Sequence, residues 1–103
     1  MRQFNPPHPG RVLQDFLHGR TISDAARHLK INRVTLSRIL HGAANITPDL
    51  AVRLSAALGT SEELWTGMQA DFDLWHARKR MPKIKAFPPI PASSSRAMAG
   101  THA

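Results

Sequence analysis

Start and stop signals recur so closely between Gly10 and Arg80 that only short helices fit between them. Thr47-Pro48-Asp49 shows the pattern in compact form: a capping hydroxyl, a proline at the first helical position and an acid at the positive end of the helix dipole. Leu50, Ala51, Leu54, Ala57 and Leu58 follow at helical spacing, and Gly59 ends the run. Further upstream, Thr21 and Asp24 make a capping-box-like pair ahead of Ile22, Ala25, Ala26 and Leu29, which share one helix face. Asn32 can cap the next helix, with Leu36, Ile39 and Leu40 facing inward and Gly42 as its stop. Val12, Leu13, Phe16 and Leu17 predict a first helix starting near Gly10 and ending by Gly19. Ser61-Glu62-Glu63 opens a fifth, carrying Leu64, Trp65, Met68, Phe72 and Trp75. Its last turn, His76 to Arg80, places cations where the carbonyl dipoles favour them, and Pro82 prevents continuation. No segment alternates with a strand period, so the expected fold class is all-α, five helices in one domain.

Composition divides the chain in three. Residues 1–9 hold three prolines and read as an extended N-terminal arm, 10–80 form the helical domain, and 81–103 form a flexible basic tail with prolines, a run of serines and no acid. The N-terminus has no apolar run behind its single arginine and does not read as a signal peptide, and no stretch approaches the length needed to cross a bilayer. With no cysteine there are no disulfides or thiolate metal sites, and a reduced, cytoplasmic setting is the simplest expectation.

The formal charge is +7, from 14 Lys/Arg against 7 Asp/Glu. In the Arg20–His41 segment, Arg20, Arg27, Lys30, Arg33 and Arg38 face a single acid, Asp24. Such an excess attracts polyanions. It gains meaning from the helix after Asn32. At about 100° per residue, Arg33, Val34, Ser37, Arg38 and His41 share the arc opposite Leu36, Ile39 and Leu40. Arginine can fork onto the O6 and N7 of guanine, and a valine methyl can meet a thymine methyl. Asn32 and Thr35 lie near the helix start, where free backbone amides suit phosphate. Two short helices joined by a tight turn, with such an outward face on the second, predict a helix-turn-helix reading the major groove of double-stranded DNA. A merely solvated basic face is the plain alternative, and the agreement of cap, spacing, small Ala26 and charge argues against it.

The segment TISDAARHLKINRVTLSRILHG resembles the helix-turn-helix of the XRE/Cro/C1 repressors. The longer frame, HPGRVLQDFL and then NITPDLAVRLSAALGTSEELWTGMQADFDLWHA, is similar to the HigA family of antitoxins from about Pro7 to Ala77. The resemblance implies a lambda-repressor-like five-helix domain and a homodimer that represses its own operon. It also implies neutralisation of a HigB-like toxin, usually a RelE-like RNase. Carried over by position, Arg33, Val34 and Arg38 fall on base-reading slots, while Asn32, Thr35 and Ser37 fall on flanking, phosphate-bonding ones; Thr21, Lys30 and His41 complete that flanking set. Two positions depart from the repressors: Lys30 stands at a turn slot usually held by glycine, and Ile22 where a phosphate-bonding glutamine is common. A plain XRE-type repressor without a toxin partner is the other reading.

Other chemistries fit poorly. His8, His18, His28, His41, His76 and His102 form no H-x₃-H pair, so no metal or other cofactor is expected, and no G-x-S-x-G nucleophile motif is present. The chain does not read as an enzyme. Trp65 and Phe72 are expected in the core, whereas Trp75 is open to a dimer contact or to base stacking. Ile84, Phe87 and Ile90 could order on a protein partner.

Overall fold

The computed structural model describes residues 5–91. Among them it contains five helices and no strand: α1 (Pro9–Phe16), α2 (Ile22–Leu29), α3 (Arg33–Leu40), α4 (Pro48–Leu58) and α5 (Glu62–Arg80). The predicted starts at Asn32, Thr47 and Ser61 are the observed caps, each side chain accepting a backbone N–H two or three residues on at 2.7–3.2 Å. Thr21 caps α2 through the N–H of Asp24 at 3.1 Å. The Asp24 carboxylate pairs with Arg27 on the exposed side of the same helix.

The first helix falls where expected, starting near Gly10 and ending before Gly19. It begins at Pro9 because His8 caps it: the imidazole Nδ1 accepts the N–H of Gly10 at 2.9 Å, and Pro9 fills the first position, where no donor is needed. It ends at Phe16, before Gly19, with Leu17 already outside helical geometry.

Leu13, Leu36, Ile39, Leu54 and Trp65 are the largest buried apolar side chains, and Ala25, Ala26 and Ala51 let the helices approach around them. α1 packs on α3 and α5, α2 on α3 and α4, and α4 on α5. The closest approach is backbone to backbone. A Cβ on Gly10 would lie 1.9 Å from the carbonyl oxygen of Ile39, so α1 crosses α3 at a distance only glycine permits. Gln14 adds a side-chain tie, donating from Nε2 to the Leu40 carbonyl at 2.8 Å. Both contacts fix α3 from behind.

Trp65 is fully buried, as expected, with Nε1 donating to Thr60 Oγ1 at 2.7 Å and Phe16 edge-on to its ring. Phe72 is not core. It is half-buried at the rim, its ring edge-on to His8 at 4.8 Å and tilted against His76 at 4.4 Å. Along a helix that outruns the body, little remains there for the inward face to pack on but the N-terminal His8 corner. The buried position on this helix that the sequence reading missed is Gln69. Its Oε1 accepts from Ile46 N–H at 2.8 Å, and its Nε2 donates to Asn45 and to Asp73, pinning the α3–α4 connection to α5.

Residues 81–91 belong to no helix or strand and are exposed. The remaining tail, His102 included, and the first four residues of the arm lie outside the described residues.

Candidate nucleic-acid interface

The outward face of α3 forms because the inward one is apolar and clamped. Leu36, Ile39 and Leu40 are buried; Arg33, Val34, Thr35, Arg38 and His41 are exposed, and Ser37 is half-buried. Val34 is 61% exposed, as a methyl-reading side chain would be. The structure therefore brings together the three expected base-reading residues, Arg33, Val34 and Arg38, on one open surface.

Their guanidiniums are held without being buried. Arg33 donates from Nε to Ser23 Oγ at 2.9 Å, which links α3 to the first turn of α2. Arg38 donates from Nη2 to the Ala43 carbonyl at 3.0 Å. Neither arginine faces a carboxylate, since the ion pairs among the described residues are Arg27–Asp24 and Arg53–Asp49. Each guanidinium keeps donors free for an incoming acceptor.

The flanking residues divide by what they already do. Asn32 Oδ1 accepts Val34 N–H at 2.7 Å, leaving its amide NH₂ as the group available to a phosphate oxygen. Thr21 Oγ1 is likewise engaged as a cap. His41 meets the Ser37 carbonyl through Nδ1 at 2.8 Å. Thr35 is open to solvent on the first turn of α3.

Lys30 occupies the left-handed region, φ 61° and ψ 44°, the only non-glycine residue with positive φ among those described. It closes α2 in a Schellman arrangement: Ile31 N–H bonds the Ala26 carbonyl at 3.0 Å and Lys30 N–H the Arg27 carbonyl at 3.1 Å. A side chain there costs about 1–2 kcal/mol relative to glycine. Arg53 stabilises the turn from α4. Its Nη1 donates to the carbonyls of Leu29 and Lys30, both at 2.9 Å, while Nε is held by Asp49 at 3.0 Å. Nothing in the local pattern around Arg53 announces this contact. It joins segments far apart in the chain, and only the α2–α4 packing brings the groups together.

Among the described residues no group of three or more His, Cys, Asp or Glu could hold a metal ion. None of their helices is long and apolar enough to cross a membrane.

Residues 14–65 match the model of the helix-turn-helix family. The uncharacterized HTH-type transcriptional regulator YddM of Escherichia coli is 36% identical over 81 residues, covering 77% of this chain and 86% of that protein. Antitoxin HigA-1 of Vibrio cholerae is 35% identical over 85 residues, 80% of each chain. PA4674 of Pseudomonas aeruginosa, solved in complex with 18 bp of its operator DNA, superposes with a TM-score of 0.75 at 28% identity, covering 82% of this chain and all of that one. The five-helix arrangement is thus that of DNA-binding regulators rather than of an enzyme, and the chain belongs to the XRE-type helix-turn-helix family, whose members include the HigA antitoxins.

Proposed function

We propose that this chain is a cytoplasmic, sequence-specific DNA-binding antitoxin of a type II toxin–antitoxin module. It represses its own operon as a homodimer and neutralises a HigB-like RNase toxin of the RelE-like class. The observation that carries the DNA half is the division of α3, with Leu36, Ile39 and Leu40 buried and Arg33, Val34 and Arg38 exposed on the opposite side. In this reading Arg33 and Arg38 hydrogen-bond base edges, Val34 meets a thymine methyl, and Thr21, Lys30, Asn32, Thr35, Ser37 and His41 position the helix through phosphates. A dimer places its two α3 helices in half-sites about 34 Å apart.

The toxin half is supported by the likeness to HigA-1. The second reading is a repressor with no toxin partner, and the similarity to YddM, named only as an HTH-type transcriptional regulator, is compatible with either. Two measurements test these statements. Arg33→Ala or Arg38→Ala costs about 1–3 kcal/mol on the operator and relaxes preference at one base position, whereas equal loss on random DNA makes the residue a phosphate anchor. Co-expression with the neighbouring open reading frame rescues growth if that frame encodes the toxin; identical growth with and without this chain leaves the plain repressor.

A further inference from the structure

We propose that Arg78–Lys85 is a second DNA-contacting element, a phosphate-gripping arm that holds the duplex backbone beside the half-site entered by α3. It rests on the DNA-binding reading above and adds a site outside the helix-turn-helix.

Arg78, Lys79, Arg80, Lys83 and Lys85 are all exposed, and no acid lies between Leu74 and Pro91. Neither ion pair among the described residues involves any of these cations. Among the described residues, Lys79 has an attractive side-chain neighbour, its Nζ 5.3 Å over the Trp75 ring. Cations packed this densely repel one another, and a polyanion relieves the repulsion.

Their placement is close to the end of α3. Gly42, at the end of the recognition helix, abuts His8; an added Cβ there would sit 3.8 Å from the His8 ring. His8 meets Phe72, and Phe72 meets His76. The α5 helix therefore passes the C-terminal end of α3, and the basic run begins just beyond that contact. An open cleft of about 670 Å³ lies at this junction, with Arg11, His41 and Phe72 on its walls. From Phe72, the rest of the helix carries Arg80 about 12 Å onward. The chain from there to Lys85 can add up to about 15 Å. Pro82 ends the helix and stiffens the chain at the start of that extension. The full path, up to about 27 Å, is long enough to span the roughly 17 Å from a half-site to the centre of a two-half-site operator. The last helical turn supplies Arg78, Lys79 and Arg80, and Lys83 and Lys85 follow outside any helix; such cations suit phosphates, which need charge and no fixed geometry.

The test is the salt dependence of binding, read by fluorescence anisotropy of the full chain on an operator duplex and on a scrambled one. Arg80→Gln/Lys83→Gln/Lys85→Gln is compared with wild type, and Lys83→Gln/Lys85→Gln serves as a variant lying outside every helix. The slope of log K against log salt shrinks by about 0.9 for each phosphate no longer neutralised, and both duplexes weaken by the same factor, of order tenfold to a hundredfold for the triple variant at about 0.15 M salt. An undiminished slope in both variants overturns the arm and leaves the α3 reading standing. A loss confined to the operator also overturns it, as does an unchanged slope accompanied by loss of binding to poly-glutamate, which assigns the run to an acidic protein surface. A wild-type chain that binds neither duplex overturns the DNA-binding reading and the arm together.

Discussion

Replacing Gly10 by alanine tests whether α3 is aimed by backbone contact. The new Cβ would stand 1.9 Å from the Ile39 carbonyl oxygen and 2.9 Å from its carbon. Ordinary contact needs about 1.5 Å more room. Both offending atoms are backbone, so no rotamer change relieves the overlap, and α1 must shift from α3 or the end of α3 must bend. Overpacking of this kind costs about 3 kcal/mol. The helix propensity gained by losing a glycine returns at most about 1 kcal/mol. A net loss of about 2 kcal/mol lowers Tm by roughly 8–16 °C in a domain this size. Thermal unfolding followed by circular dichroism measures it, and operator affinity, taken well below the melting range, falls as well because α3 is displaced. Gly67→Ala is the counterpart. Its Cβ would meet nothing within 4 Å, so the same chemical change in α5 raises Tm. A Gly10→Ala protein that melts at or above the wild-type temperature refutes the close-approach argument.

Lys30→Gly removes the left-handed strain at the turn. Against the entropy cost of glycine it gains up to about 1 kcal/mol, so Tm rises by a few degrees. The same change weakens DNA binding by removing a cation, and a lower Tm would contradict the strain. His8 brings a pH dependence. Burial of its ring lowers its pKa below the ordinary 6.5, outweighing the opposing pull of the Ala44 carbonyl and the Asp73 carboxylate. The neutral ring that accepts from Gly10 is therefore the folded form, and the unfolded chain takes up the proton first as pH falls. The stability held by the neutral cap is complete above a pH of about 6.5, declines as pH drops below it, and is gone once pH is below the folded-state value. His8→Asn keeps a capping acceptor that does not titrate, so plots of Tm against pH from about 5 to 8 should differ between the two proteins in slope; parallel plots would remove His8 from the account.

Local chemistry made much of the fold legible in the sequence. Thr21, Asn32, Thr47 and Ser61 cap helices at the expected places because capping depends on residues two or three apart. The outward set on α3 was legible for a similar reason, since periodicity alone separates Leu36, Ile39 and Leu40 from Arg33, Val34 and Arg38. What stayed hidden depends on distant partners. His8 acts as a cap through an imidazole, a residue type seldom read as a start signal, so the start of α1 near Gly10 is legible but its cap is not. Phe72 has the right spacing for the core but sits where the body has ended. Gln69 looks like a surface amide until Ile46, Asn45 and Asp73 converge on it from separate parts of the chain.

The grip of Arg53 on the carbonyls of Leu29 and Lys30 has a consequence for what the turn can vary. In a turn stabilised only by its own backbone, the left-handed position is confined to glycine or asparagine, and the identity of that residue is spent on conformation. Here α4 supplies a restraint across the fold, and the position carries a lysine side chain. Substitutions at residue 30 can then tune attraction for a polyanion separately from the direction in which α3 points, so long as arginine remains at 53.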